Sequence, residues 1–226
     1  GSDVPRVALP DGRVIDATET AFLRELDQLF PKTRTLWPPN GVDERSVNDM
    51  VRAVGDALPS AILPGSRAAH LFTLDNNLPA PLAREHFEDA LDEVDRLLGM
   101  FPSGDFFCGS AMSAADVAWA PILERYGAQL PRFYAGLCPR DSVRWARLAR
   151  WYTAMDCVPA YACRVKGDAI SWAKVLAVPP WWPAGWEPPT WASEDAGALP
   201  PPTYDVPLSI WAAYASDRPA VAPTAA

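Results

Sequence analysis

The side chains best suited to nucleophilic or metal chemistry in this chain are four cysteines and two histidines. They are Cys108, Cys138, Cys157, Cys163, His70 and His86. No two cysteines are separated by two residues, which excludes the paired-thiol motif of redox proteins and many zinc sites. Two histidines would require an unusual ligand set for zinc, and four cysteines are too few for a disulfide scaffold in 226 residues. We therefore expect reduced thiols in an intracellular protein, and no metal.

A serine and an aspartate near the middle of the chain have the spacing of a helix start. Ser113 is followed three residues later by Asp116. In such a capping box the serine hydroxyl accepts from the amide at the third helical position, and the acid accepts from the serine amide. Apolar residues then recur at helical spacing from Val117 to Leu130. The sequence thus predicts a structural role for Ser113 and Asp116, and a buried, unreactive thiol at Cys108.

The charge and hydropathy of the chain argue against two classes of partner. The formal net charge is −8 at pH 7, so the surface repels the phosphates of nucleic acid and gains nothing from anionic membranes. No run approaches the ~20 uninterrupted apolar residues that a membrane-spanning helix needs. Since 49% of the residues are hydrophobic, the chain can bury a sizeable core.

The first 31 residues predict a hairpin followed by a helix. Strand-like residues run from Val4 to Ile15 and are divided by Asp11-Gly12, a strong hairpin turn. Thr18 is placed to cap the following helix, which Pro31 ends. So short a unit is poorly stable alone, and we expect it to pack on the rest of the chain or on a partner.

The middle of the chain predicts a bundle of at least four helices, which makes the fold mainly α. Its segments carry apolar residues at helical spacing, with prolines or capping residues at their starts. The predicted helices cover residues 47–58, 81–98, 113–130, 143–155 and a short 169–175. Residues 60–78 have no helical or strand pattern.

From residue 178 the chain becomes rich in proline and tryptophan, and residues 178–226 are called the tail below. Its prolines exclude a regular helix or a central strand over most of its length, although residues 208–214 predict a short closing helix. The rings of Trp181, Trp182, Trp186 and Trp191 would together expose a large apolar surface. Either the chain's own bundle or a protein partner can cover them, because tryptophan often anchors interfaces.

Several phrases of the sequence resemble the glutathione S-transferase family. The run FFCGSAMSAADVAWAPILERYGAQLPRFY resembles the signature of the family's sixth helix, and LARWYTAM with VPAY resembles its next phrase. The hairpin and helix of the first 31 residues resemble the second half of the family's thioredoxin-like N-terminal domain. The resemblance runs from about Val4 to Leu176. It implies a glutathione transferase C-terminal-like bundle preceded by a truncated thioredoxin-like unit.

The resemblance also implies domain limits. They are a partial thioredoxin-like unit over 1–31, a linker over 32–46, the helical domain over 47–177 and an extended tail over 178–226. Only three residues precede Val4, so we expect the first strand, helix and second strand of the thioredoxin-like unit to be missing. In the family, the hydroxyl or cysteine that activates the glutathione thiol lies in that missing half.

What the resemblance leaves of a glutathione site is Val4, Pro5 and Thr18. In the family a cis bond before the proline turns backbone groups toward glutathione, and a Glu-Ser pair at the next helix start holds its γ-glutamyl carboxylate. Here Ala17-Thr18 stand in place of that pair, so the acid is lost and Thr18 keeps a hydroxyl that serves as a cap. We therefore expect no cofactor, with glutathione as the alternative.

Three functions are compatible with these features. The first is a non-catalytic binding or assembly module, a subunit of a larger protein complex. The alternative is a glutathione-dependent transferase whose N-terminal catalytic elements lie outside this chain. The third is a carrier of small apolar ligands between the hairpin and the bundle. The PAY phrase and the proline-rich end resemble plastid-type members of plants and algae, which implies a chloroplast location.

Overall fold

The computed structural model of the chain describes residues 6–9, 12–16, 19–31, 35–38, 41–57, 84–167, 209–210 and 212. This part of the chain contains two strands, six α-helices and one 3₁₀ turn. The strands are β1 (Arg6–Ala8) and β2 (Val14–Asp16). The helices are α1 (Glu19–Leu29), α2 (Glu44–Ala57), α3 (Arg84–Leu98), α4 (Ala114–Phe133), α5 (Ala146–Asp156) and α6 (Pro159–Arg164), with the 3₁₀ turn at Pro139–Asp141.

The hairpin and the first helix lie where the sequence predicts them. β1 and β2 pair antiparallel, with Val7 opposite Ile15. Gly12 has a φ of 84°, the left-handed conformation that a tight turn needs and that glycine adopts without a Cβ penalty. The helix α1 follows and contacts both β2 and α4, so the N-terminal unit packs on the bundle.

The core of the bundle surrounds α4. This helix contacts α1, α2 and the 3₁₀ turn, while α5 contacts α3, α6 and the same turn. The indole Nε1 of Trp119 on α4 donates to the carbonyl oxygen of Met50 on α2 at 3.0 Å. The rings of Phe107 and Trp119 stack with their centroids 4.9 Å apart, and the ring of Trp151 meets Phe107 at 6.0 Å. The predicted helical bundle is confirmed. The predicted core positions Tyr126 and Tyr161 are both buried.

The start of α5 differs from the sequence prediction. We predict a helix from residue 143, but Val143 is 98% exposed and the helix begins at Ala146. Trp145 precedes α5 and provides no side-chain cap. The first-turn amides of Arg147 and Leu148 donate instead to Asp95 on α3. The local apolar pattern places the start of α5 too early because it does not reveal the contact of Asp95 with the first turn of the helix.

Two short elements are absent from the sequence prediction. The 3₁₀ turn and α6 each begin with a proline at the first helical position, where its missing amide costs nothing. Both are too short to show a periodic apolar pattern. Their positions matter because both contribute to the polar network described below.

Several predictions fall outside the described residues. They include the short helix at 169–175, the patternless stretch at 60–78 and most of the tail. Residues 209, 210 and 212 are helical, in agreement with the closing helix predicted over 208–214. The predicted domain limits stay predictions. Among the described residues, no helix has both the length and the apolar character needed to cross a membrane.

Candidate functional site

Ser113 and Asp116 form a capping box at the start of α4. The hydroxyl oxygen of Ser113 accepts from the amide of Ala115 at 3.2 Å. The carboxylate of Asp116 accepts from the amide of Ser113 at 2.8 Å and from its hydroxyl at 2.9 Å. Two amides that the helix itself leaves without acceptors are thereby satisfied.

Asp116 has a wider role than the sequence suggests. Its second carboxylate oxygen accepts from the amide of Phe107 at 3.1 Å and from the indole of Trp151 at 2.8 Å. The side chain is fully buried. Burial raises the pKa of Asp116, while the hydrogen bonds from Ser113, Phe107 and Trp151 oppose that shift. The carboxylate joins the loop before α4 to α5 and has no contact with solvent, so its role is structural.

The backbone of the loop before α4 is closely packed against itself. A Cβ on Gly104 would lie 2.3 Å from the Cα of Ser110 and 2.4 Å from the carbonyl oxygen of Gly109, so only glycine fits there. Cys108 in this loop is buried, and burial raises the pKa of its thiol to about 11. The predicted buried thiol is confirmed, and at neutral pH it stays protonated.

Glu124 on α4 is the centre of a second buried polar network. It is 2% exposed and accepts hydrogen bonds from two other side chains and from a backbone amide. Its Oε2 atom accepts from the Tyr161 hydroxyl at 2.5 Å and from the guanidinium of Arg140. Its Oε1 atom accepts from the backbone amide of Gly167 at 3.1 Å. One carboxylate thus connects α4 to the 3₁₀ turn, to α6 and to the chain that follows α6.

Arg140 extends this network to the end of α5. Its guanidinium donates to the carboxylate of Asp156 at 3.3 Å and lies over the ring of Tyr152 at 4.3 Å. Asp156 also pairs with the ammonium of Lys166 at 2.8 Å. A Cβ on Gly127 would lie 2.9 Å from Arg140 Nε, so the glycine on α4 provides the space that the arginine occupies.

Burial and charge set the protonation of this network. Burial raises the pKa of Tyr161, and the neighbouring Glu124 raises it further. Burial opposes the charge of Arg140, but the carboxylates of Glu124 and Asp156 outweigh it and raise the arginine's pKa. The tyrosine therefore keeps its proton, donated to Glu124, and the arginine keeps its charge. The groups hold each other in place through these hydrogen bonds.

Asp95 on α3 makes the third buried acidic site. Its Oδ1 accepts from the amides of Arg147 at 2.8 Å and Leu148 at 3.0 Å, and its Oδ2 pairs with the Arg147 guanidinium at 2.9 Å. A carboxylate at a helix N-terminus satisfies unpaired amides and interacts favourably with the helix dipole. Sequence reasoning missed this residue because its partners lie 52 and 53 positions away.

A surface cleft of about 560 Å³ opens between α1 and α2. It is lined by Arg24, Glu44, Arg45, Asn48, Asp49 and Arg52. Its three arginines pair with its two carboxylates, and these side chains are largely exposed. Exposed pairs of this kind contribute little energy and neutralise most of each other's charge.

Of the sequence-predicted site residues, the structure describes Ser113 and Asp116, which bond to each other. Val4, Pro5 and Thr18 lie outside the described residues, as do Trp181, Trp182, Trp186 and Trp191. In the part that the structure describes, no cluster of histidine, cysteine and acidic side chains is arranged to hold a metal ion. All four cysteines are free thiols, of which Cys157 is exposed.

Comparison with known proteins identifies one match. Residues 49–154, from α2 to α5, match the family model described as the glutathione S-transferase C-terminal domain. The match contains Asp95, Asp116 and Glu124. Searches of curated proteins and of solved structures found no match.

Proposed function

We propose that the chain, whose residues 49–154 match the glutathione S-transferase C-terminal domain, is a non-catalytic binding or assembly module. One observation carries the proposal. All three buried charged side chains of the described residues, Asp95, Asp116 and Glu124, are used to cap helices or to hold chain segments together. A catalytic acid or base instead needs to reach a substrate.

The residues near the N-terminus also support a non-catalytic role. The family resemblance places a glutamate and a serine at the start of the helix that follows the hairpin, where they hold glutathione. Ala17 stands where the family carries glutamate, which removes a contact for the ligand. A vestigial site of Val4, Pro5 and Thr18 would bind glutathione too weakly to support a reaction.

The tail supplies the binding surface in this proposal. Each of the four rings of Trp181, Trp182, Trp186 and Trp191 can bury roughly 150–250 Å². Tryptophan is enriched among residues that dominate binding energy, and prolines reduce the conformational entropy that binding must overcome. A protein subunit is the partner that fits a sequence so rich in proline and tryptophan.

Removing the tail is the test of this function. We expect truncation after Val178 to abolish complex formation, because it removes the rings that bind the partner. A lower melting temperature without loss of assembly would place the rings on the chain's own bundle instead. Sedimentation velocity and thermal melts of the full and truncated chains measure both outcomes. If neither the assembly state nor the melting temperature changes, the tail binds nothing and the proposal is wrong.

A further inference from the structure

We propose that the cleft between α1 and α2 binds a small phosphorylated molecule that carries hydroxyl groups, a role separate from the one proposed for the tail. The cleft has a volume of about 560 Å³, which lies within the range of small-molecule sites. All the side chains that line it are polar or charged, so an apolar ligand would be poorly matched to it. They are Arg24 from α1 and Glu44, Arg45, Asn48, Asp49 and Arg52 from α2.

The sequence of α2 places its lining residues on one face of the helix. Between Glu44 and Arg52 they are spaced one and four positions apart, so their side chains lie in adjacent rows along the helix. The residues of the opposite face are buried in the core: Val47, Met50, Val51 and Val54. Because turning the helix would expose these apolar residues to water, the polar face stays directed at the cleft.

Arg24 is held at the cleft by one part of its guanidinium. The group lies over the ring of the buried Trp37, 5.1 Å from the ring centroid. Its Nη2 atom donates to the carboxylate of Glu44 and, at 3.4 Å, to the side-chain oxygen of Asn48. Within the described residues no acceptor bonds to its other nitrogens. Arg24 is thus a positioned cation that keeps donors for a ligand.

Asn48 adds donors beside Arg24. Its Oδ1 atom accepts from the indole of Trp37 at 3.0 Å as well as from Arg24. Because an indole nitrogen can only donate, this bond identifies which end of the amide is the oxygen. The nitrogen end has no acceptor in the part of the chain that the structure describes. It is therefore open to the oxygen of an anion.

The charges of the cleft do not cancel. Glu44 pairs with Arg24, while Asp49 is shared by Arg45 and Arg52. The distance from Arg45 Nε to Asp49 is 3.9 Å, which is too long for a hydrogen bond. Three guanidiniums against two carboxylates leave one positive charge, although the whole chain carries −8. An anion in the cleft would balance this charge, and the Arg45 side chain, 90% exposed, can turn toward it.

A phosphate group matches these donors better than a single carboxylate does. It carries about −1.5 to −2 charges at neutral pH and offers three acceptor oxygens. Guanidinium groups bind phosphate through two parallel hydrogen bonds, which the charges strengthen. The cleft is larger than a phosphate ion and also contains the carboxylates of Glu44 and Asp49, which accept from hydroxyl groups. A phosphorylated sugar combines these features.

Titration with ribose 5-phosphate, followed by phosphorus NMR, tests the site. We expect saturable binding that weakens as ionic strength rises, because the charges of the cleft are exposed. Arg45→Gln and Arg52→Gln should each weaken it about tenfold, through the loss of a hydrogen bond to a charged group. The matched control is Arg96→Gln, which removes an exposed arginine that pairs with Glu93 on α3 and does not line the cleft. Circular dichroism shows that each variant keeps its fold.

Inorganic phosphate separates the two sources of the anion. We expect it to bind more weakly than ribose 5-phosphate, because it lacks the hydroxyl groups that Glu44 and Asp49 would accept from. Equal binding would overturn the sugar as the ligand and assign the cleft to free phosphate. Absence of saturable binding, or an equal loss in Arg96→Gln and the cleft variants, would overturn the site itself. Truncation of the tail does not enter this test, so the proposed function is decided separately.

Discussion

Replacing Asp116 with alanine should lower the free energy of unfolding by about 3–5 kcal/mol, well above the roughly 1 kcal/mol of an ordinary helix cap. The change removes the acceptor for Ser113 and also leaves the amide of Phe107 and the indole of Trp151 without their partner. Each buried donor left unsatisfied costs about 1–3 kcal/mol. The sequence alone suggests only the capping term, since it does not show the other two donors.

Urea unfolding followed by circular dichroism measures this loss. Ser113→Ala should cost on the order of 1 kcal/mol, because it removes the cap and leaves Asp116 bonded to Phe107 and Trp151. Asp89→Ala, the same deletion of a carboxylate at an exposed position of α3, should change stability by no more than about 0.5 kcal/mol. An Asp116→Ala loss no larger than that of Ser113→Ala would contradict the role of Asp116 as a hub.

Replacing Trp151 with alanine should cost about 3–5 kcal/mol, as deletion of large buried aromatics does. The ring is fully buried and meets the rings of Phe107, Tyr152 and Tyr161 at centroid distances of 6.0, 5.2 and 6.3 Å. Its removal leaves a cavity at the meeting point of α4, α5 and α6. The same urea titration measures the change.

Trp151→Phe separates packing from hydrogen bonding. This variant keeps an aromatic ring and removes the donor to Asp116, so its cost should be about 1–3 kcal/mol. The double variant with Asp116→Ala should lose less free energy of unfolding than the two single variants lose in sum, because both substitutions remove the same hydrogen bond. Strict additivity would show that the indole and the carboxylate are not energetically coupled.

Local signals explain the parts of the fold that the sequence predicts. The Asp11-Gly12 turn, the stop at Pro31 and the box of Ser113 and Asp116 each depend on residues within a few positions of each other. Apolar spacing likewise predicts α2 and α4, although α2 begins at Glu44 rather than at residue 47 and α4 continues to Phe133 rather than ending at residue 130. These elements form where neighbouring residues agree on one conformation.

Long-range polar contacts explain what the sequence could not predict. Asp95 caps a helix 52 positions away, and Glu124 bonds residues 37 and 43 positions further along the chain. Nothing in the local pattern of either acid distinguishes it from a solvated residue on a helix face. The start of α5 also depends on a distant residue, since Asp95 accepts from the amide of Leu148 while the nearby Ser142 accepts from the amide of Trp145.

The central claim, that this chain carries no glutathione transferase chemistry, is tested most directly by titration calorimetry with glutathione. We predict no binding tighter than millimolar, and no conjugation of glutathione to a general electrophile above the uncatalysed rate. The reason is the alanine at position 17, where the family resemblance places a glutamate that contacts glutathione. Micromolar binding that a glutathione analogue displaces, accompanied by conjugation, would contradict the claim and favour the enzyme.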